Sequence, residues 1–281
     1  MNKDLYNKMT DNAWDKVYAR IEEEGLTANK QHRPFRQIMP RWGGISAAAC
    51  ILLCIVLSVL YLAKDNTPAP LLTQINNDAT FTLVKTLEDG TIVYLANHSS
   101  LVLPKHFSKE KREVTLNGNA YFDVTHQKKC PFVIKTKEAV IKVLGTAFNV
   151  KSSERNTFEL SVNRGRVSVT KAGTDKTVFV DAGRTVTCSA EGLHLESTKN
   201  KKQFNDYTRC IRFKDETLGN ILRAINKQNN ERKEVLQTLP SLSERKLTVS
   251  FCADSPTMMA TLISQALHLK YTVDNHTIMI K

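Results

Sequence analysis

The 21 residues from Gly43 to Ala63 contain no Asp, Glu, Lys, Arg or His, and they include Ile45, Ile51, Leu52, Leu53, Ile55, Val56, Leu57, Val59, Leu60 and Leu62. As a helix this run would be about 31 Å long, enough to cross a bilayer core of about 30 Å. Trp42 and Tyr61 stand at its ends, where interfacial aromatics belong. Buried core helices rarely run so far without a charge. A cleaved signal peptide would need a shorter apolar run and a shorter leader. In a lipoprotein signal the cysteine ends the apolar run, whereas Cys50 lies early in this one. The run therefore predicts one transmembrane helix over 43–63. Lys30, Arg33, Arg36 and Arg41 precede it with no acid between them, and Lys64 and Asp65 cancel after it. The positive-inside rule puts residues 1–42 in the cytoplasm and 64–281 outside the inner membrane.

The cytoplasmic piece is short. Asp11 to Glu24 reads as a helix with Asp11 as N-cap and Gly25 as its stop. Trp14, Val17, Tyr18 and Ile21 fall at i, i+3, i+4 and i+7 and make one apolar stripe. A segment this small cannot bury the stripe against itself, so the stripe predicts a protein partner with a groove. Glu22, Glu23 and Glu24 argue against an anionic membrane surface as that partner.

Beyond the run, residues 64–79 contain Thr67-Pro68-Ala69-Pro70 and Asn76-Asn77-Asp78 and read as a linker. Residues 80–196 show short apolar segments between turn signals and read as an all-β sandwich or solenoid-like roll of roughly ten strands. Asp89-Gly90 and Asn117-Gly118 read as hairpin turns, because Asn or Asp with Gly supplies positive φ. Residues 197–208 are polar and read as a second linker or connecting helix. Residues 209–281 read as a small α+β module in the order strand, helix, strand, helix, strand, strand. Its first helix carries Leu218, Ile221, Leu222 and Ile225 on one face. Its second opens on Ser255-Pro256, with Met258, Met259, Leu262, Ile263, Ala266 and Leu267 toward the core.

The chemistry-bearing patterns are sparse. The sequence has no HExxH, GxSxG, P-loop or dinucleotide glycine loop, and the seven His are scattered, so no enzyme, metal site or cofactor is expected. Cys130, Cys188, Cys210 and Cys252 lie where disulfides are allowed, and their pairing is open. The net charge of +12 raises nucleic acid as a partner. However, residues 1–42 hold eight Lys and Arg against six Asp and Glu, and the remaining 32 against 22 follow the apolar run. The basic excess is thus outside the cytoplasm, and no direct nucleic-acid binding is expected.

Several spaced motifs give the β region a family likeness. They are Leu87-Glu88-Asp89-Gly90-Thr91-Ile92-Val93-Tyr94-Leu95-Ala96-Asn97, then Arg112 through Val124, Pro131-Phe132-Val133-Ile134, Val143 through Val150, and Gly165-Arg166-Val167. In this order they resemble the FecR family of inner-membrane anti-sigma factors. The C-terminal module is similar to the secretin and TonB-receptor N-terminal (STN) module that follows FecR domains in Bacteroidetes proteins. The resemblance implies a multi-domain membrane protein with a short cytoplasmic α segment, one transmembrane helix, an all-β FecR domain and a C-terminal α+β STN-like domain. It implies a circuit as well. The periplasmic signalling domain of a TonB-dependent outer-membrane transporter contacts the outer part, and the cytoplasmic segment sequesters or activates an extracytoplasmic-function (ECF) sigma factor through Trp14, Val17, Tyr18 and Ile21. An intramembrane protease is the implied route of release. Some relatives also cleave themselves at a Gly-Thr bond, which here is Gly145-Thr146. The competing expectation is a non-enzymatic membrane protein that binds envelope carbohydrate or protein.

Overall fold

The computed structural model describes residues 16, 19, 51–59, 71–152, 158–200, 202–228, 234–252 and 254–281. The chain divides into two units, Met1–Pro68 and Ala69–Lys281. In the first, residues 16, 19 and 51–59 are helical. Among the described residues no helix is long and apolar enough to cross a membrane; the rest of the Gly43–Ala63 run lies outside them. So do Trp14, Val17, Tyr18 and Ile21.

The second unit opens with thirteen strands: β1 (Leu72–Asn77), β2 (Thr82–Thr86), β3 (Ile92–Leu95), β4 (Ser99–Pro104), β5 (Arg112–Asp123), β6 (Phe132–Lys135), β7 (Ala139–Val143), β8 (Ala147–Ser152), β9 (Phe158–Arg164), β10 (Arg166–Lys171), β11 (Thr177–Asp181), β12 (Arg184–Cys188) and β13 (Leu193–Ser197). Two sheets share β5. One runs β1-β4-β5-β6-β7-β10-β11; the other runs through β2-β3-β5-β8-β9-β12-β13. Between them lies one apolar core that includes Phe122, Phe132, Phe148 and Phe158, each at most 2% exposed. Burying each such side chain contributes about 1.5–3 kcal/mol.

Asn117-Gly118 is not a hairpin turn. Both residues lie inside the twelve-residue strand β5. Gly118 has φ +98°, and it sits where β5 stops pairing with β4 and begins pairing with β8. A Cβ there would lie 2.8 Å from the Cβ of Ser99 on β4. The glycine therefore provides the bend and close approach by which one strand serves two sheets. The stretch 64–79, read as a linker, contains β1, which pairs along β4 from Leu72↔Pro104 to Asn77↔Ser99. The alternation in β1 is weak because most of its residues are exposed.

The second expected linker, 197–208, contains most of helix α1 (Gln203–Arg209), whose Gln203, Phe204 and Tyr207 are buried. Then come β14 (Cys210–Thr217), α2 (Leu218–Gln228), β15 (Val235–Thr238), β16 (Lys246–Cys252), α3 (Pro256–Leu267), β17 (Tyr271–Asp274) and β18 (Thr277–Ile280). The α2 stripe is buried as the pattern predicts. Ser255 caps α3 by accepting from the Met258 N–H. In α3, however, Met258 is 49% exposed and Ala266 is exposed, while Ala260 and Ser264 point inward. β15, which the sequence pattern does not predict, pairs in parallel with β18, giving a small sheet in the order β15-β18-β17.

β14 pairs antiparallel with β16 and, at Ile211↔Thr82 and Arg212↔Leu83, parallel with β2. The module is thereby hydrogen-bonded into the second sheet. Cys210 and Cys252 stand opposite each other in the β14–β16 ladder and form a disulfide. Among the described cysteines Cys54, Cys130 and Cys188 are free.

Candidate functional site

The family motifs, scattered along the sequence, converge around Arg112 at the start of β5. Its side chain is buried and its guanidinium lies 5.4 Å from the Phe132 ring centre. One Nη donates to Asp89 Oδ2 at 2.6 Å and to the Thr125 carbonyl at 2.9 Å. Nε donates to the Cys130 carbonyl at 3.0 Å, and the second Nη reaches the Leu144 carbonyl at 3.4 Å. Asp89 in turn accepts from the Thr91 N–H and hydroxyl at 3.0 and 2.7 Å. The Thr91 hydroxyl accepts from the Thr125 N–H at 3.2 Å. A planar five-donor fork suits this array of one carboxylate and three carbonyls, which a lysine could not span.

Gly145-Thr146 lies next to this hub, between β7 and β8. The Leu144 carbonyl accepts from the Gln127 N–H at 2.8 Å and the Thr146 carbonyl from the Val124 N–H at 2.9 Å. A Cβ on Gly145 would come within 2.6 Å of His126 Cβ and Nδ1, so only glycine fits. Gly165, at φ +89°, packs on the other side; a Cβ there would meet Thr146 Cγ2 at 2.7 Å. Thr146 is 3% exposed. Its hydroxyl has no hydrogen-bond partner among the described residues, a costly state for a buried polar group. The turn thus presents an unengaged hydroxyl directly after a glycine carbonyl, held by hydrogen bonds on both flanks.

The second constellation is the joint between the β strands and the C-terminal module. Val84, Ile92, Tyr94, Tyr121 and Ala147 form a second apolar cluster with Phe204 and Tyr207 of α1 and with Ile211, Phe213, Leu218 and Phe251 of the module. The Tyr121 ring lies 5.6 Å from Tyr94, 6.0 Å from Phe204 and 6.1 Å from Tyr207. Burial holds the Tyr94 and Tyr121 phenols above their ordinary range and pushes Tyr207 up to about 12. Polar ties surround this cluster. Lys85 pairs with the buried Glu216 at 2.8 Å. Asp123 pairs with Arg164 at 2.9 Å and with Lys227 of α2 at 3.1 Å. Gln228 donates to the Tyr94 hydroxyl at 3.1 Å. A cleft of about 680 Å³ opens here, lined among others by Tyr121, Asp123, Arg164, Lys227 and Phe251.

Gly145-Thr146 enters through the family resemblance; the joint is not among the expectations from the sequence. One signal for it was available. Ile92-Val93-Tyr94-Leu95 is apolar without alternation, as in strands covered on both faces, and all four residues are buried. The stripe residues Trp14, Val17, Tyr18 and Ile21 remain outside the described residues. β18 (Thr277–Ile280) is the central strand of the module's small sheet and is paired on both sides, so it offers no free edge to a partner. Among the described residues no three His, Cys, Asp or Glu side chains gather as metal ligands.

Residues 77–168 match the family model described as FecR protein. No curated protein matches the chain. Two crystal structures of a candidate anti-sigma factor from Parabacteroides distasonis are similar to it. One has a TM-score of 0.45 and 19% identity over 74% of this chain and 98% of that chain. The other has a TM-score of 0.46 and 20% identity over 75% and 98%.

Proposed function

We propose that this chain, which carries a FecR domain over residues 77–168, is a single-pass inner-membrane anti-sigma factor. The matched domain is the observation that carries this reading. The cytoplasmic residues 1–42 hold an ECF sigma factor by the stripe Trp14, Val17, Tyr18 and Ile21, and Gly43–Ala63 spans the membrane. Residues 69–281 receive the signal from the signalling domain of a TonB-dependent outer-membrane transporter, with an intramembrane protease as the route of release. The Cys210–Cys252 disulfide supports an oxidising compartment for the outer unit. The compactness of Ala69–Lys281 supports a receiver that moves as one body.

A pull-down with residues 1–42 as bait from the host cytosol tests the reading, with Val17→Asp/Ile21→Asp as control. Wild type alone should recover one sigma factor. Recovery of nothing, or of the same proteins by both baits, refutes it and favours an envelope-binding protein.

The buried, unengaged hydroxyl of Thr146 favours a second activity, self-cleavage. Thr146 Oγ attacks the Gly145 carbonyl carbon, its hydroxyl proton passes by way of solvent to the peptide nitrogen, and the C–N bond breaks to free the Thr146 amine. The resulting ester takes up one water, giving a Gly145 carboxylate and restoring the Thr146 hydroxyl. Blotting C-terminally tagged protein should show a fragment that begins at Thr146, absent from Thr146→Ala. Only full-length protein in a signalling-competent strain would sink the idea.

A further inference from the structure

The two edges of the small sheet β15-β18-β17 are treated differently. On β15 the outward N–H and C=O of Leu236 are both taken by one side chain: Asn226 Oδ1 accepts from the N–H at 2.9 Å, and Asn226 Nδ2 donates to the carbonyl at 2.8 Å. An amide standing in for a neighbouring strand closes that edge. Among the described residues the β17 edge has no such cover. Lys270 and Lys281 exchange both backbone hydrogen bonds at 2.8 Å, which fixes the alternation along the ladder. Lys270, Thr272 and Asp274 turn their backbone groups toward β18, while Tyr271 and Val273 turn theirs to the open side. Val273 is 55% exposed although it shares a face with the buried Ile278. A cleft of about 610 Å³, lined by Thr261, Ser264, Gln265, His268, Lys270 and Tyr271 among others, opens between α3 and the start of β17.

The chemistry along this edge is self-complementary. It reads Lys270, Tyr271, Thr272, Val273, Asp274: base, apolar, neutral, apolar, acid. We propose that β17 pairs antiparallel with β17 of a second copy of this chain about a two-fold axis at Thr272. In this register Tyr271 of each copy exchanges both hydrogen bonds with Val273 of the other, which uses every outward backbone group of the two residues. The same register sets Lys270 opposite Asp274 twice, in non-hydrogen-bonded positions where side chains approach most closely. Neither residue has an ion-pair partner among the described residues. Val273 is covered by the Tyr271 ring of the other copy. An edge guarded only against aggregation carries like charges or an inward charge; this one carries opposite charges at the spacing that pairs them. The two sheets merge into one of six strands, the isologous arrangement of a two-fold dimer. Five residues per copy bury little area, so the dimer is weak and concentration-dependent. The inference is independent of the sigma-factor reading.

The test is sedimentation equilibrium of residues 69–281, which contain both apolar clusters and form a compact unit. Wild type is expected to pass from monomer to dimer as concentration rises. Asp274→Lys or Lys270→Asp turns two attractions into two repulsions and should weaken the dimer about tenfold or more. The exchange Lys270→Asp/Asp274→Lys should restore it. Val273→Pro removes an outward N–H that β18 does not use, and should abolish the dimer while the far-ultraviolet circular dichroism is unchanged. A monomer at every concentration overturns the proposal. So does a dimer indifferent to Asp274→Lys and Val273→Pro, or a charge exchange that fails to restore. A monomer that loses a foreign partner on Val273→Pro also overturns it and gives the edge to that partner's strand.

Discussion

Arg112→Met asks how far the β unit depends on one buried cation. Methionine keeps the apolar stem beside Phe132 and removes the fork. Asp89, whose side chain is 5% accessible, keeps its bonds from Thr91 but loses its counter-charge. Breaking a buried pair from one side costs about 3–5 kcal/mol. The carbonyls of Thr125 and Cys130 lose a donor each, worth about 1 kcal/mol apiece. The Leu144 carbonyl retains the Gln127 N–H and adds little. A loss of about 5–7 kcal/mol is a large share of a typical total of about 5–15 kcal/mol. With a urea m-value of about 2 kcal/mol/M, the midpoint should fall by about 2.5–3.5 M. Both tryptophans precede residue 69, so unfolding of residues 69–281 is best followed by far-ultraviolet circular dichroism. Arg112→Lys should recover part of the loss, since it returns the charge but not the fork. Adding Asp89→Asn to Arg112→Met should raise stability above that of Arg112→Met alone, because the lone buried charge is gone. A Met variant within about 1 kcal/mol of wild type would refute the reasoning, as would a double variant less stable than the single.

Other outcomes follow from local geometry. The Cys210–Cys252 bond closes a loop with a sequence separation of 42, and on the chain-entropy estimate its removal by Cys210→Ala/Cys252→Ala should cost about 4 kcal/mol in urea melts; an unchanged midpoint would place its value elsewhere. Hydrogen bonds from Lys111 and then Lys135 hold the Glu113 carboxyl below its ordinary 4.5. A lowered folded pKa gives stability that is present above the unfolded value and lost as pH falls through the folded one, so Glu113→Gln should flatten the pH dependence of Tm below about pH 4.5, and an acid limb as steep as wild type would contradict this. Gly118→Ala combines positive φ with a clash on Ser99 and should cost about 2 kcal/mol or more; a neutral effect in melts would mean that β5 does not need its bend.

What was legible in the sequence was local. The stripe Leu218, Ile221, Leu222 and Ile225 and the Ser255-Pro256 cap both have short-range causes, and each stands as expected. What was illegible depended on neighbours far along the chain. Asn117-Gly118 carries the same residue types as a hairpin turn, and only Ser99 on another strand shows that the glycine serves a bend. The disulfide was one of three pairings until the β14–β16 register set Cys210 opposite Cys252. Asp89, Arg112 and Gly145-Thr146 were visible as motif positions, but their convergence on one buried guanidinium needs three loops to fold together. The joint was signalled only by the unbroken apolar run Ile92–Leu95 of β3; β2 looks like an ordinary sandwich strand until its second face is found covered by the module.

That covered face decides how the proposed role of the module in signalling must be tested. Deleting residues 209–281 would leave Val84, Ile92, Tyr94 and Tyr121 facing water, with Phe204 and Tyr207 stripped of most of their neighbours. Such a large apolar patch invites aggregation, so a lost response in that truncation would report misfolding as readily as uncoupling. Lys227→Ala is the cleaner perturbation. Its ammonium spans the joint to Asp123 at 3.1 Å and is partly exposed. Asp123 keeps Arg164 as a counter-ion, so no buried charge is orphaned and the cost should stay within about 1 kcal/mol. A relay that passes through the joint should then show an altered ligand response in a transcriptional reporter, with melting and protein level unchanged. A wild-type response in Lys227→Ala, repeated in Gln228→Ala, which removes the donor to the Tyr94 hydroxyl, would mean that the joint only holds the module in place and that the signal leaves it by another surface.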